Sequence, residues 1–209
     1  MLNSWHRQAG VTLIELLIGL VIFGLLFSMA APSFTGWIQN ARNRTAAEAL
    51  LNGLQLARAE AVRRNAQVRF QLTSSLDNTC TLSTTAVNWV VSINGANGGD
   101  PTGLCGSAPS DTVAPYIIQT RSSTQGSSNV IVAASQGTVA FNGLGRQAVV
   151  TNQDGSVTVL ANIIIQIPDP ALVTCAPAGS LRCMQVQVGT GGQIRMCDPG
   201  LASTDPQGC

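Results

Sequence analysis

An apolar run near the start of the chain most constrains its fold, because the run carries a single charge. Residues 11–31 contain one ionisable side chain, Glu15, close to the beginning of the run. At roughly 20 residues, a helix of this composition is long enough to cross a bilayer. An acidic side chain at the middle of such a helix costs about 2.5–3.5 kcal/mol on insertion scales. We therefore expect Glu15 to have a partner that becomes available near the start of the helix.

The ten residues before this run form a short polar segment that ends in Ala9-Gly10. A secretory signal peptide has its cleavage site behind small residues that follow the apolar run. Ser28-Met29-Ala30 offers such a site, whereas Gly10 precedes the run. Cleavage after Ala30, as in a secretory signal peptide, is therefore one alternative, and a short leader, 1–10, that ends at Gly10 is the other.

The segment from Gly10 to Glu15, Gly-Val-Thr-Leu-Ile-Glu, resembles the class III leader of type IV pilins and type II secretion pseudopilins. The resemblance implies that a membrane-bound prepilin peptidase cuts after Gly10 and methylates the new amino terminus at Val11. Glu15 and Pro32 fall at the family's positions relative to this cut, although Val11 replaces the usual Phe. The resemblance predicts a precursor that is processed at Gly10-Val11.

The same resemblance gives Glu15 a role in assembly. It implies that the free amino group of Val11 in one subunit approaches Glu15 of a neighbour in a filament. Two unit charges about 4 Å apart attract by roughly 4 kcal/mol at an effective dielectric constant of 20. The alternative is that Glu15 snorkels to the interface or is protonated there, in which case assembly does not need it.

After Pro32 the sequence is again rich in good helix formers as far as residue 66. Proline removes one backbone hydrogen bond and predicts a kink at this position, a defect that membrane helices tolerate. The spacing of Glu60 and Arg64 predicts an i,i+4 ion pair. Spacings of three and four predict one buried apolar stripe, formed by Ala47, Leu50, Leu51, Leu54, Ala57 and Ala61. We expect one continuous helix over 11–65, about 80 Å long.

From residue 67 the helical period gives way to alternation of apolar and polar residues, as in half-buried strands. Gly- and Asn-rich connections with no helical period between them predict antiparallel pairing. Strands are predicted at 68–73, 87–93, 116–118, 130–132, 138–141, 157–167 and 184–188. The predicted fold class is α+β, a pilin-like lollipop. A transmembrane half (11–31) and an amphipathic half (32–66) of one helix precede a β-rich head, 67–209.

Three further segments resemble the GspH/FimT family of minor pseudopilins. They are the helical segment Leu54–Ala61, the segment Phe141–Arg146 and the closing hairpin from Arg182 to Cys197. The family implies a minor subunit anchored in the bacterial inner membrane, with its head in the periplasm and later at the tip of a pilus or pseudopilus. A major pilin is the alternative. Implied partners are the prepilin peptidase, other major and minor pilins or pseudopilins, and inner-membrane lipid.

All six cysteines lie in the predicted head: Cys80, Cys105, Cys175, Cys183, Cys197 and Cys209. No C-x-x-C pair is present, so a zinc site is not predicted. An even number of cysteines in an exported head indicates disulfides, although the sequence leaves several pairings open. We expect Cys80–Cys105, Cys183–Cys197 across a hairpin, and Cys175–Cys209 at the tail.

The chain offers little for catalysis. Its single histidine, His6, lies in the predicted leader, so the mature chain has none for a catalytic triad. No metalloprotease or nucleotide-binding motif is present, and neither a cofactor nor a metal is predicted. Isolated carboxylates in polar segments are predicted to be solvated turn residues, namely Asp77, Asp100, Asp111 and Asp154. We expect a protein that is not an enzyme.

The alternative function is DNA uptake in natural transformation. Some FimT-type minor pilins bind DNA through a Gly-Arg-x-Arg signature in the last hairpin. This chain has Gly192-Gln193-Ile194-Arg195, in which Gln193 replaces the first arginine. A net charge of +1 gives the chain little attraction to nucleic acid.

Other arginines are candidates to compensate for Gln193. Arg182 is expected on the strand that faces Arg195, and Arg146 or Arg121 are expected nearby. Without a DNA contact, Arg195 is expected to be an exposed strand residue that pairs with Asp198 or with water.

Overall fold

The computed structural model describes residues 11–95 and 98–209, without the side chains of residues 28–33. The predicted leader, with Gly10, lies outside the described residues. One long helix, α1 (Leu13–Arg64), precedes the strands of the described chain. The strands are β1 (Val68–Thr73), β2 (Asn88–Ile93), β3 (Ile117–Arg121), β4 (Ala133–Ala134), β5 (Thr138–Phe141), β6 (Gln147–Ala148), β7 (Ile163–Ile167), β8 (Met184–Val188) and β9 (Ile194–Cys197).

The chain divides into two compact units; the first ends at Ile38 and the second begins at Gln39. In the first unit, α1 begins after Thr12, whose Oγ1 accepts a hydrogen bond from the Glu15 amide at 3.4 Å. A threonine in this position satisfies an amide that the first helical turn leaves without a partner. Among the described residues, no helix meets both the length and the apolarity that a membrane crossing requires.

In the second unit, residues 39–64 of α1 pack on two antiparallel sheets. The sheet orders are β3-β2-β1-β5-β6 and β4-β7-β8-β9. The predicted stripe of α1 is buried as expected, except that Leu51 is only half-buried. The ion pair from Glu60 to Arg64 also forms, at 2.7 Å. The predicted α+β class, a long amino-terminal helix followed by antiparallel sheets, is confirmed.

One hydrophobic core joins the helix and both sheets. On the five-stranded sheet, Val68, Phe70 and Leu72 of β1 turn toward α1. On the four-stranded sheet, the alternate residues of β7 and β8 enter the same core, namely Ile163, Ile165, Ile167, Val186 and Val188. Because strand side chains alternate, each strand contributes every second residue to this core.

The helix approaches the five-stranded sheet closely at Gly53. A Cβ atom at this position would lie 2.7 Å from Cε2 of Phe70 and 2.9 Å from Cε2 of Trp89. These two rings contact each other, with centroids 5.6 Å apart. Glycine is therefore required here by the packing of the helix on the rings, although it is a poor helix former.

Two strand predictions fail wholly or in large part, and the strand predicted at 116–118 lies at Ile117–Arg121 instead. Residues 130–132 form no strand, because the amide of Val130 donates within a turn and that of Val132 to the Thr85 carbonyl. Of the predicted strand 157–167, only residues 163–167 form one. The side chain of Gln136 bonds both the amide and the carbonyl of Val159, so a side-chain amide takes the place of a neighbouring strand there.

β1 was expected to be half-buried, yet all six of its residues are buried. Its second face carries Arg69 and Gln71, which are covered by the loops that hold Asp100 and Asn152. Arg69 Nη1 donates to Asp100 Oδ2 at 2.9 Å, and Gln71 Nε2 donates to Asp100 Oδ1 at 3.2 Å. Gln71 Nε2 also donates to Asn152 Oδ1 at 3.4 Å. The polar residues of β1 thus form a second, hydrogen-bonded layer.

The prediction that Asp100 is a solvated turn residue is wrong. Its side chain is 13% exposed and that of Arg69 is 3% exposed. The carboxylate also accepts hydrogen bonds from the amide and hydroxyl of Thr102 and from the amide of Gln153. Asp77 and Asp154 are exposed turn residues as expected, and Asp111 is exposed at 3.6 Å from Arg64.

All six cysteines form disulfides: Cys80–Cys105, Cys175–Cys183 and Cys197–Cys209. The first pairing is confirmed, whereas the predicted pairings Cys183–Cys197 and Cys175–Cys209 are wrong. The register of the last hairpin gives the reason, because Cys197 of β9 lies opposite Gln185 of β8. Cys183 is two residues further along and bonds instead to Cys175, beside the bridge that joins Cys175 and Leu181.

Replacing Gly53→Ala is expected to destabilise residues 39–209. Helix propensity alone favours alanine by about 1 kcal/mol, but overpacking a core costs about 1–3 kcal/mol, and the ring atoms here belong to rigid buried side chains. We expect urea denaturation to show a net loss in the free energy of unfolding. The matched control is Asn52→Ala on the exposed side of the same turn, which should leave stability equal or higher. A Gly53→Ala protein as stable as this control contradicts the packing argument.

Replacing Asp100→Asn is expected to lower the free energy of unfolding by about 3–5 kcal/mol, because it leaves the buried Arg69 charge without its partner. Asp111→Asn, at an exposed carboxylate, is the control and should change stability by less than about 1 kcal/mol. Chemical denaturation of both variants checks the difference. Equal effects of the two substitutions contradict a structural role for the buried pair.

The same pair predicts a dependence on pH. Burial raises the pKa of Asp100, but hydrogen bonds from Thr102 and Gln153 and the Arg69 charge outweigh it, so the net pKa lies below the usual 3.8. A carboxyl whose pKa is lower in the folded state than in the unfolded state stabilises the fold. This contribution is fully present at pH values above the unfolded-state pKa, and it is lost as the pH falls through the folded-state pKa. The wild type should therefore lose stability below about pH 4, and Asp100→Asn should lose less over the same range.

Candidate subunit-assembly site

The first part of α1 presents an apolar surface that the described chain does not cover. Its large apolar side chains from residue 13 to residue 27 are all at least 52% exposed: Leu13, Ile14, Leu16, Leu17, Ile18, Leu20, Val21, Ile22, Phe23, Leu25, Leu26 and Phe27. Soluble monomers rarely expose apolar surface of this extent, so such a surface marks contact with lipid or protein.

Glu15 is the only charged side chain in this apolar surface. Across residues 11–95 and 98–209, no basic side chain lies within 4.0 Å of its carboxylate. Val11 is 70% exposed one turn before it. The described residues thus leave the Glu15 carboxylate without a basic partner, which is the state that an assembly role requires. α1 extends through position 32, and the predicted kink at Pro32 stays a prediction.

The hairpin of β8 and β9 closes through residues 189–193. The Gly189 amide donates to the Gln193 carbonyl at 2.9 Å, and the Gly192 amide donates to the Gly189 carbonyl at 2.8 Å. Gly192 has φ +85°, as expected for the bulge position of such a turn. A Cβ atom on Gly192 would lie 1.9 Å from the carbonyl oxygen of Gly145. This turn therefore lies directly against the loop that precedes β6.

The two arginines proposed for DNA contact are not cross-strand neighbours. Arg195 lies opposite Gln187 in the register of the hairpin. Arg182 was expected on the facing strand, but it precedes β8, which begins at Met184. Arg195 Nε donates to Gln187 Oε1 at 2.9 Å, and its Nη2 donates to the Cys209 carbonyl at 3.1 Å. Arg195 is an exposed strand residue as expected. Of the two partners expected for it, Asp198 or water, Asp198 lies 3.9 Å from Arg182 instead.

The other two candidate arginines lie far apart in the topology. Arg146 is next to Gly145 and so adjoins the turn at Gly192, near the hairpin as predicted. Arg121 belongs to β3, at the opposite edge of the five-stranded sheet from β6. Few arginines near the hairpin are therefore available to contact the phosphates of DNA.

The loop Asn142–Arg146 has a connecting role that the sequence did not predict. The Gly145 carbonyl accepts a hydrogen bond from Arg58 Nε of α1 at 3.0 Å. A Cβ atom on Gly143 would collide with Asn65, which follows α1 with φ +49°. The loop therefore joins the end of α1, the edge of the five-stranded sheet and the last hairpin. The segment Phe141–Arg146 was noted in the sequence only as a family resemblance.

Comparison with known proteins agrees with this architecture. A family described as "Type II transport protein GspH" matches residues 46–192, which is more than half of the chain. A second, described as "Prokaryotic N-terminal methylation motif", matches residues 5–31. No curated protein matches the chain.

Two crystal structures of the type IV minor pilin FimU from Pseudomonas aeruginosa are similar to the chain. The sequence identities are 16% and 14%, and the TM-score is 0.42 in both cases. Each match covers 79% of this chain and 93% or 98% of the FimU chain.

The GspH match and the methylation motif define the class of protein as a pilin or pseudopilin. This chain belongs to the GspH family, since that family matches it over residues 46–192. Proteins of this class are structural and not enzymes. The motif and the family together imply processing by a prepilin peptidase and assembly with other pilins.

The geometry of the hairpin predicts weak binding of DNA by residues 39–209. Each phosphate contact adds about 0.9 to the slope of log affinity against log salt concentration. Arg195 is already bonded to Gln187 and Cys209, so we expect a shallow slope that Arg195→Ala does not change. Arg121→Ala, at the far sheet edge, is the matched control in a fluorescence anisotropy titration at several salt concentrations. A steep slope that is lost in Arg195→Ala alone contradicts this expectation.

Proposed function

We propose that this chain is a minor subunit of a type IV pilus or of a type II secretion pseudopilus, in its tip or initiation complex. The precursor enters the inner membrane by a single span, residues 11–31, with the head in the periplasm. A prepilin peptidase removes residues 1–10 by cutting after Gly10, and Val11 becomes the methylated amino terminus. The kink at Pro32 and the amphipathic half, 32–66, then connect the span to the head.

The observation that carries this proposal is the Glu15 carboxylate in the exposed apolar part of α1, which has no basic partner within 4.0 Å among the residues that the structure describes. Lipid can cover the apolar side chains, but it offers the carboxylate no opposite charge, and a lone charge in hydrocarbon is costly. The amino group of Val11 in an adjacent subunit supplies such a charge, and it exists only after cleavage. Processing and assembly are thereby coupled, because an uncleaved subunit lacks the cation that its neighbour needs.

The head contributes surfaces rather than chemistry. Its three disulfides and the buried layer around Asp100 hold the long loops of the sheets in place. A rigid head of this kind can bind other pilins without ordering loops at each contact, which lowers the entropic cost of assembly. The contacts of Arg182 and Arg195 do not favour DNA uptake. Arg195 donates to Gln187 and to the Cys209 carbonyl, and Arg182 lies near Asp198, so both side chains already have partners within the head.

Glu15→Ala in the full chain tests the proposal. We expect normal insertion and a mature amino terminus at methyl-Val11 by mass spectrometry. Incorporation into filaments should fall by at least about tenfold, because the attraction of roughly 4 kcal/mol between the two charges is lost. Quantitative immunoblots of sheared filaments and of the membrane fraction measure this ratio.

Glu48→Ala is the matched control, since Glu48 is a helical glutamate outside the apolar run and pairs with Arg44 at 2.8 Å. It should assemble like the wild type. The proposal is wrong if Glu15→Ala assembles as well as Glu48→Ala, or if filaments contain a chain that retains residues 1–10.

A further inference from the structure

The loop Asn142–Arg146 holds a leucine side chain out into solvent. Leu144 is 79% exposed, the highest value among the large apolar side chains described in residues 39–209. No turn geometry requires leucine here, and exposing it is unfavourable in a monomer. Single exposed apolar residues are common, so the surroundings of Leu144 decide whether it has a role.

The loop that carries Leu144 is held by hydrogen bonds at Asn142, Leu144, Gly145 and Arg146. The side-chain oxygen of Asn142 accepts from the amides of Leu144 at 3.0 Å and Arg146 at 3.2 Å. The Asn142 amide donates to the Arg146 carbonyl at 2.9 Å, and the Gly145 amide to the Asn142 carbonyl at 2.8 Å. The position of Leu144 is thus set before any partner binds, which lowers the cost of binding.

Next to Leu144, the loop lies on the exposed side of α1. A Cβ atom on Gly145 would lie 3.1 Å from Cγ2 of Val62 and 3.1 Å from Nε of Arg58. Val62 is 51% exposed, and Arg58 and Arg146 are exposed as well. These four side chains, Leu144, Val62, Arg58 and Arg146, form what we call the Leu144 patch.

The Leu144 patch carries a positive charge that the head does not neutralise. In the part of the chain that the structure describes, no carboxylate lies within 4.0 Å of Arg58 or Arg146. The carboxylate closest in sequence, Glu60, is engaged by Arg63 and Arg64. Arg58 Nε donates to the Gly145 carbonyl, but the positive charge of neither arginine is balanced by a carboxylate within this distance. The patch thus combines apolar side chains with unneutralised guanidinium groups, and arginine is enriched at the energetic centres of protein interfaces.

We propose that the Leu144 patch docks the head of a neighbouring, different pilin-type subunit, which presents an apolar pocket with at least one carboxylate at its rim. This inference rests on the proposed function and adds to it the contact surface and the chemistry of the partner. The pocket takes the Leu144 side chain, and the carboxylate pairs with Arg58 or Arg146.

Two other occupants fit the patch less well. A second copy docking through the same patch places Arg58 and Arg146 against the same arginines, and like charges across an interface are repulsive. A nucleic acid uses the guanidinium groups but gains nothing from an exposed leucine between them, since its backbone offers phosphates. The apolar centre with basic flanks therefore favours an acidic, partly apolar protein surface.

Site-specific photo-crosslinking in cells that assemble the full chain tests this proposal. A photoreactive phenylalanine analogue at position 144 is expected to crosslink to another protein that carries a class III leader. Mass spectrometry should place the adduct in that protein's head, beside an aspartate or glutamate. A crosslink to a second copy of this chain, to a protein without such a leader, or to no protein overturns the proposal.

Variants of the full chain supply the second measurement. Leu144→Asp and Arg146→Glu are each expected to reduce incorporation into filaments at least about tenfold, as at an interface hot spot. Leu172→Asp is the matched control, because Leu172 is 62% exposed in a different loop, and it should assemble like the wild type. Thermal unfolding of residues 39–209 should be the same for Leu144→Asp and Leu172→Asp, so a folding defect does not account for the loss.

The outcomes separate this proposal from the proposed function. If the wild type is neither cleaved after Gly10 nor found in filaments, the proposed function fails and the docking proposal fails with it. If the wild type assembles and Leu144→Asp assembles equally well, only the docking proposal fails. If Arg146→Glu alone reduces assembly, and Leu144→Asp does not, the contact is electrostatic without an apolar pocket, and the proposal is wrong.

Discussion

The contact of α1 with the rings of Phe70 and Trp89 underlies the rest of the second compact unit. Gly53 has no side chain, whereas a side chain at this position would collide with the rings and keep the helix away from β1 and β2. With the helix at this distance, its apolar stripe can share one core with both sheets. Close packing of this kind maximises the dispersion contacts and the apolar area removed from water. The inner residues of the four-stranded sheet share this core, so their burial depends on the same contact.

The other face of the five-stranded sheet is stabilised by a different interaction. Arg69 and Gln71 point away from α1 and are buried by the loops that hold Asp100 and Asn152. A buried charge is tolerable only when it is paired and hydrogen-bonded, so this layer specifies the loop positions as well as adding stability. The Cys80–Cys105 disulfide constrains the same loop shortly after Asp100. The head thus has an apolar layer on one side of β1 and a polar layer on the other.

Two places in the chain leave an interaction incomplete, and both point to other subunits. In α1, the Glu15 carboxylate lies in apolar surroundings without a cation among the described residues. In the head, the Leu144 patch presents arginines without a carboxylate and a leucine without cover. An unpaired charge in apolar surroundings and an exposed apolar side chain are each unfavourable in the isolated chain, and assembly with another subunit relieves both. The function of a structural subunit is expected to reside in such unsatisfied groups, because it has no reaction to perform.

The sequence by itself determined those features that depend on neighbours along the chain. The helical stripe from Ala47 to Ala61, the strand β1 and the antiparallel class follow from local period and spacing. The cleavage and methylation motif is likewise local, but it was identified by its resemblance to the class III leader. The tertiary structure alone decided the features that depend on register and on distant loops. It placed Cys197 opposite Gln185 rather than Cys183, and it buried Asp100 against Arg69. A shift of register or a loop that folds back changes which residues meet without changing their local pattern, so sequence spacing does not encode these contacts.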